Sequence, residues 1–376
     1  MKGVLMFFKV GIALMLFAII YSSSKAETAC ECENWRELHP EWIFCDDFES
    51  QEPMVGEGRY FEYGDNDGDC VVMDSLGLMK SRGVRVIFQQ GEVGAGGFKL
   101  AFGRNPSSYM NSGIYEEEDF REIYYRMYLK MEEGWQGSPA KLSRATVFHS
   151  SSWAQAMIAH LWSDSDEHLL IDPATSVDEN GVVRSTRYND FENLRWLGYQ
   201  SGKTKIFSEE NSGKWFCVEM HVKLNDPGEQ NGVQEFWIDG ELEARREGLD
   251  FVGTYTDYAI NAVFFENYWN EGSPKEQERY FDNIVVSRSY IGPLDMTDVD
   301  EEVKSELRIY PNPASEFIRI GAPNGGNADV RIYDQMGNEV LRKERMSSGE
   351  LIGIRDLLEG VYFCRIIRGS DARSCL

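Results

Sequence analysis

The sequence lacks the features that mark helical, membrane-embedded or zinc-dependent proteins. Its 376 residues include only 5 histidines, and no stretch shows a long helical period of apolar residues. Beyond residue 26, no apolar run approaches the roughly 20 residues that a membrane-spanning helix needs. No Cys-x-x-Cys or Cys/His spacing is present, which argues against a zinc site or a thiol nucleophile. These absences favour an all-β protein with no membrane span beyond its N-terminal segment.

Positive charge is also scarce. The chain has 63 Asp and Glu residues against 38 Lys and Arg residues, which gives a formal net charge of −25. The acidic excess lies in the central part of the chain, because the two ends are balanced or basic. Such a surface repels phosphate backbones and anionic membranes, so we predict no nucleic-acid partner. Solubility is the simplest use of most of these charges.

The N-terminal segment has the pattern of a secretory signal peptide. Lys2 and Lys9 precede a short apolar run, residues 10–21, and small or polar residues follow up to Ala26. A charged start, a short apolar core and a small-residue cleavage site predict a signal peptide over residues 1–26, cut after Ala26. A retained membrane anchor is the alternative.

The C-terminal segment consists of short alternating apolar runs between turn residues. The runs LRIYPNPASEFIRI, VRIYDQMGNEVLRKE and LEGVYFCRII are bounded by Pro, Asn or Gly. This pattern predicts short antiparallel strands joined by tight turns. Pro311 and Pro313 hold the entry to the first turn extended, and Gly337-Asn338 and Glu359-Gly360 supply two more turns.

With YPNPA, IYDQMGNEV and LEGVY in this order, residues 307–376 resemble the C-terminal sorting domain of the type IX (Por) secretion system of Bacteroidetes. The resemblance implies export across two membranes with the type IX secretion machinery as partner. It also implies removal of the domain and attachment of the protein to the cell surface. A small structural β-sandwich without an address function is the alternative.

Export makes disulfides possible, and the chain has 7 cysteines. Cys30, Cys32, Cys45 and Cys70 lie close together near the N-terminus. The sequence does not determine which of them pair.

Residues 27–294 form the predicted central domain, and an acidic linker, residues 295–306, follows it. Strand formers and turn signals fill the domain, and Asp239-Gly240 marks a hairpin. The clearest predicted strands are Arg121–Met131, Ala156–Trp162, Trp215–Asn225, Val233–Asp239, Tyr258–Tyr268 and Tyr280–Ser287. Because two of them alternate cleanly between apolar and polar residues, we predict a sandwich of two sheets with the polar faces outward.

The outward faces of two predicted strands suit sugar binding. They carry Tyr124, Arg126, Tyr128 and Lys130 on one strand, and Trp215, Glu219, His221 and Lys223 on the other. Aromatic rings stack on the apolar faces of sugars, while charged groups bind hydroxyls and carboxylates. We therefore predict a polysaccharide partner, with an ordinary solvated sheet face as the alternative.

Three segments resemble the concanavalin A-like jelly roll, and more narrowly polysaccharide lyases of the alginate and glucuronan lyase kind. They are WIFCDDFE, HVKLNDPGEQNGVQEFWIDGELEARREGLDF and FFENYWNEGSPKEQERYFDNIVVS. The resemblance implies a jelly-roll fold followed by the small β-sandwich sorting domain. It also implies β-elimination on a uronate polysaccharide as one candidate activity.

A lyase of this class neutralises the uronate carboxylate, removes the proton at C5 and protonates the leaving oxygen. For these tasks we predict Arg126 for the carboxylate, His221 or else Lys130 as the base, and Tyr128 or Tyr280 as the acid. The predicted substrate-binding residues are Tyr124, Lys223, Glu235, Trp237 and Trp269. His149 and His160 are reserve candidates for the base, although a satisfied core histidine is the favoured interpretation of His160.

Two other site types are weaker. A hydrolase would use a carboxylate pair, for which Glu219 and Glu235 are the candidates, but no convincing glucanase motif is present. Residues 64–69, GDNDGD, alternate carboxylates as calcium loops do, yet the EF-hand register fails and an acidic turn is favoured. We predict no cofactor, and a structural calcium ion elsewhere in the jelly roll stays open.

The sequence thus predicts a secreted protein, extracellular or attached to the outer-membrane surface, that engages polysaccharide. Three function classes remain open: a noncatalytic carbohydrate-binding module, a uronate polysaccharide lyase, and an adhesive or structural surface protein with no sugar site.

Overall fold

A computed structural model describes residues 2–9, 18–19, 31–294, 308–310, 317–321, 327–347, 351–358 and 360–368. The chain divides into two compact units. The large unit is Thr28–Pro293, and the small unit combines Met1–Glu27 with Leu294–Leu376. The signal peptide, the acidic linker and the domain boundaries of the sequence analysis remain predictions, and the linker lies outside the described residues.

Strands dominate both units. In chain order they are β1 (Lys2–Lys9), β2 (Ala18–Ile19), β3 (Trp42–Asp46), β4 (Glu62–Gly64), β5 (Cys70–Met73), β6 (Gly83–Phe88), β7 (Gly94–Ala101), β8 (Glu122–Met131), β9 (Lys141–Phe148), β10 (Gln155–Ser163), β11 (Leu169–Thr175), β12 (Arg195–Trp196), β13 (Gln200–Ser201), β14 (Trp215–Lys223), β15 (Gly232–Ile238), β16 (Glu241–Leu249), β17 (Ala262–Tyr268), β18 (Gln277–Ser287), β19 (Arg308–Tyr310), β20 (Phe317–Gly321), β21 (Asn327–Tyr333), β22 (Glu339–Ser347), β23 (Leu351–Gly353) and β24 (Gly360–Arg368).

Helical structure in the described residues is short. It comprises α1 (Trp35–Leu38) and 3-10 turns at Asn66–Gly68, Leu78–Lys80, Ser108–Met110, Phe191–Asn193 and Glu209–Asn211. None of these described helices has the length and apolar character that crossing a membrane requires. The acidic segment at residues 64–69 contains the first of the 3-10 turns, Asn66–Gly68, in agreement with the predicted acidic turn.

The large unit is a sandwich of two antiparallel sheets. The first sheet has the strand order β16-β15-β14-β8-β18-β6-β5, with β3 beside β18. The second has the order β12-β11-β10-β9-β17-β7-β4, with β13 beside β11. The chain passes repeatedly between the sheets. After β8 in the first sheet come β9–β11 in the second, and β14–β16 then return to the first. Finally β17 lies in the second sheet and β18 in the first. This jelly-roll wiring confirms the predicted fold class.

The core lies between the two sheets. It is filled by the inward residues of alternating strands, among them Ile123, Tyr125, Met127, Leu129 and Met131 of β8. Across the interface, the rings of Phe98 in β7 and Phe281 in β18 meet edge-on with their centroids 5.8 Å apart. Each large apolar side chain buried in this way contributes about 1.5–3 kcal/mol. The predicted alternation in β8 and β14 is therefore confirmed.

Local features agree with two further expectations. The hairpin between β15 and β16 turns at Asp239 and Gly240, both with positive φ (51° and 83°), as a tight two-residue turn requires. Cys32 and Cys45 form a disulfide that ties the segment before α1 to β3. Cys70 and Cys217 are buried free thiols.

The small unit has its own strands and core. Its sheets have the orders β2-β1-β24-β21-β22 and β19-β20-β23. A separate apolar cluster fills it: Ile318, Val330, Ile332, Met346, Ile352, Ile354, Tyr362 and Cys364. The predicted turn at Gly337-Asn338 joins β21 to β22, and the Asp334 carboxylate accepts the backbone N–H groups of Met336 and Asn338, each at 2.9 Å. The predicted strands of this segment are confirmed.

Candidate functional site

Six side chains, one from each of six neighbouring strands, form a row across the outer face of the second sheet. Directly opposed residues of an antiparallel pair place their side chains on the same face. From β4 to β11 the row consists of Glu62, Lys99, Phe264, Arg144, His160 and Asp172. We call the surface formed by these six residues and the loop of residues 185–197 the Arg144 face.

Arg144 lies at the centre of this face and is fully buried. Its Nε donates to Glu266 at 2.9 Å, and one Nη also donates to Glu266. The other donors reach the Asn189 side-chain oxygen at 2.6 Å and the Tyr188 hydroxyl at 2.9 Å. Burial alone would lower the pKa of Arg144, but the interactions of its guanidinium with Glu266 and Tyr188 outweigh this effect, so the pKa is raised. Arg144 thereby anchors the loop to the sheet.

The strand on the other side of β17 from Arg144 carries a glycine beside Glu266. Gly97 of β7 is the register partner of Glu266. A Cβ at Gly97, whose φ is 154°, would lie 2.5 Å from the Phe265 carbonyl oxygen. The sheet therefore needs glycine here to keep β7 and β17 close.

His160 is the register partner of Arg144, and only one of its two ring nitrogens has a hydrogen-bond partner among the described residues. Its Nδ1 donates to the Asp172 carbonyl oxygen at 2.9 Å, whereas Nε2 has no hydrogen-bond partner among the described residues. Burial, and then the Arg144 charge, hold the pKa of His160 well below its usual value. The imidazole is therefore neutral, with an unused acceptor. The rings of Trp162 and Trp196 lie over it, with centroids 4.1 and 5.5 Å away.

Lys141 adds a cation beside this aromatic group. The bulge in β9 brings Lys141 to the outer face with Arg144, because Trp162 pairs with Lys141 while Leu161 pairs with Ser143. Its ammonium lies 4.2 Å from the Tyr268 ring centroid and 5.9 Å from those of Trp162 and Phe191. Burial lowers its pKa. Lys141 forms no ion pair in the described part of the chain, so its charge is available to a ligand.

The opposite end of the row is also cationic and aromatic. Lys99 pairs with Glu62 and lies 5.1 Å from the Trp153 ring centroid and 5.3 Å from that of Phe264. At the rim, Phe191 and Trp196 are 36% and 42% exposed. The face therefore offers exposed rings, a lysine without a carboxylate partner and buried polar groups, a combination that suits sugar rings with acidic substituents.

The contacts of Arg126 oppose the role predicted for it. The side chain does lie on the outer face of the first sheet, opposite Glu219, but it is only 1% exposed. It pairs with Glu31 and donates to the Gly292 carbonyl oxygen at 3.0 Å. Glu219 accepts the N–H groups of Ile291 and Gly292, each at 2.8 Å, so it is also occupied. The chain's own segments cover this part of the sheet and occupy the Arg126 guanidinium, which opposes its predicted role at a substrate carboxylate.

His221 shares that face with Arg126, as predicted, but both of its nitrogens are engaged. Nδ1 lies 2.8 Å from Glu235 and Nε2 lies 2.9 Å from Glu122. The ring stacks on Tyr124 with centroids 4.1 Å apart. An imidazole held between two carboxylates has no free lone pair for a C5 proton, so this geometry opposes the base role. Glu235 also pairs with Arg245 at 3.0 Å; it is the register partner of His221, whereas Glu219 is the register partner of Trp237.

The other predicted residues divide between surface and interior. Trp269 is buried against Phe88 and Trp135, so it belongs to the core and not to a sugar platform. Tyr128 is also buried, with the Arg126 guanidinium 5.4 Å from its ring centroid. Five of the predicted site residues are half-buried on the outer face of the first sheet: Tyr124, Lys130, Lys223, Trp237 and Tyr280.

The reserve histidines have different outcomes. His149 lies 3.3 Å from the Tyr255 hydroxyl, apart from the row. His160 lies in it, although the sequence analysis favoured a satisfied core histidine. Among the described residues, no group of three or more His, Cys, Asp or Glu side chains is placed to hold a metal ion, and the structural calcium stays a prediction.

Comparison with known proteins identifies one end of the chain. Residues 308–374 match the secretion system C-terminal sorting domain. This segment is a sorting domain of the type IX system, and it indicates secretion to the cell surface or the extracellular space. No curated protein sequence matches the chain significantly.

Solved structures are similar at low identity. An alginate lyase from Chlorella virus is 12% identical, with a TM-score of 0.43, over 60% of this chain and 90% of its own. An alginate lyase from Aplysia kurodai is 14% identical, with a TM-score of 0.44, over 67% and 99%. An endo-β-1,4-glucuronan lyase from Trichoderma reesei is 12% identical, with a TM-score of 0.43, over 66% and 96%. Similarity at this level assigns no role to any residue of this chain.

Proposed function

We propose that this exported protein binds an acidic polysaccharide on the Arg144 face of its jelly-roll domain. The observation that carries the proposal is Lys141, an ammonium group among three rings with no ion pair in the described part of the chain. Exposed Phe191 and Trp196 provide stacking surfaces, and Lys141 provides the charge that meets a uronate carboxylate. In a protein of net charge −25, a local cation of this kind decides where an anionic chain docks.

Substitutions at Lys141 and Trp196 test this proposal. We expect K141M to weaken binding of uronate polysaccharides roughly tenfold, because it removes a charged contact worth about 1.5 kcal/mol or more, and K141R to keep most of the affinity. W196A should weaken binding of acidic and neutral chains alike, since it removes stacking area. Binding is measured by affinity electrophoresis and calorimetry on a panel of uronate, sulfated and neutral polysaccharides.

Matched controls lie elsewhere on the same protein. Lys205, 54% exposed and paired with Glu167 at 3.7 Å, serves as the lysine control through K205M, and Tyr290, 47% exposed, as the aromatic control through Y290A. Both should bind as the unaltered protein does. If K141M and W196A retain full affinity for every bound polysaccharide, the Arg144 face is not the binding site.

Uronate lyase activity is the second candidate, and the unused Nε2 of His160 favours it. A neutral imidazole with a free acceptor suits removal of the C5 proton, and the Tyr188 phenol, whose pKa burial raises to about 12, suits protonation of the leaving oxygen. Lys141 would neutralise the carboxylate. The loop that carries Tyr188 must then open, because His160 is fully buried beneath it.

The lyase candidate predicts that the protein releases products with the ultraviolet absorbance of unsaturated uronates. We expect H160A to reduce that rate by 10²–10⁴-fold, the usual contribution of a general base, while binding persists. If the protein binds uronate polysaccharides but none of them gives an absorbance change, the lyase candidate is wrong and only the noncatalytic binding function remains.

We propose also that the exported form is attached to the outer-membrane surface after the sorting domain is removed. The sorting domain at residues 308–374 and the acidic segment before it support this assignment.

A further inference from the structure

The outer face of the first sheet carries a second row of side chains, at the end of the sheet away from His221. Tyr280 in β18 is the register partner of Arg85 in β6 on one side and of Lys130 in β8 on the other. Lys130 is in turn the register partner of Trp215 in β14. Cations and rings therefore alternate along four neighbouring strands. At a strand spacing of about 4.8 Å the row spans roughly 15 Å. We call these four residues the Lys130 strip.

Lys130 is held between the two rings of the strip. Its ammonium lies 4.5 Å from the Tyr280 ring centroid and 4.8 Å from that of Trp215. Burial lowers its pKa and the charge of Glu278 opposes this shift. Glu278 itself accepts a hydrogen bond from the Tyr280 hydroxyl at 2.5 Å. The rings fix the position of the ammonium but leave its hydrogen-bond donors unused.

Neither cation of the strip is ion-paired in the part of the chain that the structure describes. Arg85 is half-buried, and its Nε has no hydrogen-bond partner there. Other arginines of this acidic protein, among them Arg59, Arg82, Arg104 and Arg288, pair with carboxylates. Two unpaired cations, interleaved with rings that are only half-buried, are complementary to an anionic ligand with flat apolar faces.

The strip also differs from the part of the same sheet that the chain covers. Arg126 lies on the same strand and the same face as Lys130, and Glu31 and Gly292 close over it. Lys130 makes no such contact, and it remains half-buried at the surface. The covering segments therefore stop short of the strip.

We propose that the Lys130 strip is a second glycan-binding surface, for a segment of acidic polysaccharide, on the sheet opposite the Arg144 face. Sugar rings stack on Trp215 and Tyr280, and carboxylate or sulfate groups bind Lys130 and Arg85. This inference rests on the proposed function of the Arg144 face. With two such surfaces on opposite faces, one domain bridges two polysaccharide chains, or binds one chain with higher avidity.

The test separates the two surfaces by substitution. In the K141M/W196A background the Arg144 face is disabled, so the remaining affinity for acidic polysaccharide reports the strip. We expect K130M in this background to lower that affinity roughly tenfold, K130R to retain it, and W215A to lower it further. The effect should shrink as salt rises, because exposed charge contacts are screened. Uronate and sulfated chains, with neutral dextran beside them, show which anionic group is bound.

The control must lie outside every predicted binding residue. Because Lys223 is itself a predicted substrate-binding residue, the control variant is K205M: Lys205 is exposed, pairs with Glu167 at 3.7 Å and is not part of the strip, so K205M should change nothing. Thermal unfolding of each variant checks that the fold is kept. Bridging is read by light scattering at limiting protein, where the unaltered chain should form large complexes and either single-surface variant should not.

The outcomes are distinct. If K130M and W215A bind like their parents in both backgrounds, the strip has no glycan and the inference is wrong, whatever the Arg144 face does. If they lose affinity while K141M and W196A do not, the strip stands and the proposed role of the Arg144 face fails.

Discussion

A chain that ends after Pro293 should remain inside the producing cell. The sorting domain at residues 308–374 carries the address that the type IX machinery reads, and removing it takes that address away. The large unit has its own continuous core, so the shortened protein should still fold. We expect its surface and extracellular fraction to fall to background, as measured by immunoblotting of fractionated cells. This is the largest effect that the account predicts.

A variant of the large unit serves as the control for that experiment. K141M alters the Arg144 face and leaves the sorting domain intact, so it should reach the surface in the same amount as the unaltered protein. Export of the shortened chain at the normal level would mean that another segment carries the address.

The second large effect is a loss of stability on replacing Arg126. Its guanidinium and the Glu31 carboxylate are 1% and 8% exposed, so R126M leaves a buried carboxylate without its partner. Breaking a buried pair from one side costs about 3–5 kcal/mol. We expect the urea midpoint of R126M to fall accordingly, with the slope of the transition unchanged. The E31Q substitution in the R126M background should restore part of the loss, because it removes the stranded charge.

This prediction separates two interpretations of Arg126. If Arg126 bound substrate, R126M would abolish binding or activity and leave the free energy of unfolding nearly unchanged. If it holds residues 31 and 292 against the sheet, as its contacts indicate, stability falls and polysaccharide affinity of the folded protein persists. Unaltered stability in R126M would contradict the structural role.

Alternation in the sequence was sufficient to predict the sheets but not what covers them. The pattern in β8 and β14 correctly placed Arg126 and His221 on one outer face, with Tyr125 and Met220 in the core. It carried no information on the segments that fold over Arg126, because those contacts join residues far apart in the chain. Alternation along one strand predicts which face of the sheet a side chain lies on, whereas its exposure to solvent depends on the whole fold.

The Arg144 face was missed for a local reason. β9 reads KLSRATVF, and the bulge between Lys141 and Ser143 breaks its alternation, so no strand was predicted there. Its partners in the loop, Tyr188 and Asn189, have no motif that links them to Arg144. The one sequence signal was His160 itself, but β10 reads QAMIAHLWS, with apolar residues on both faces, so its pattern favoured a core position.

Trp269 shows the opposite error. It follows β17 in a turn-rich segment, which suggested exposure, but a large ring at a loop crossing finds more stabilisation among other rings. It stacks on Trp135 at 5.8 Å and meets Phe88 edge-on at 5.6 Å. Trp196, by contrast, is 42% exposed on the short edge strand β12.

Amide hydrogen exchange with and without a bound acidic polysaccharide shows whether the ligand occupies the Arg144 face. We expect slower exchange in residues 185–197, the loop that Arg144 anchors over His160, when the polysaccharide is bound. Unchanged exchange throughout that loop, with the polysaccharide demonstrably bound, would show that the ligand docks elsewhere and that the Arg144 face is not its site.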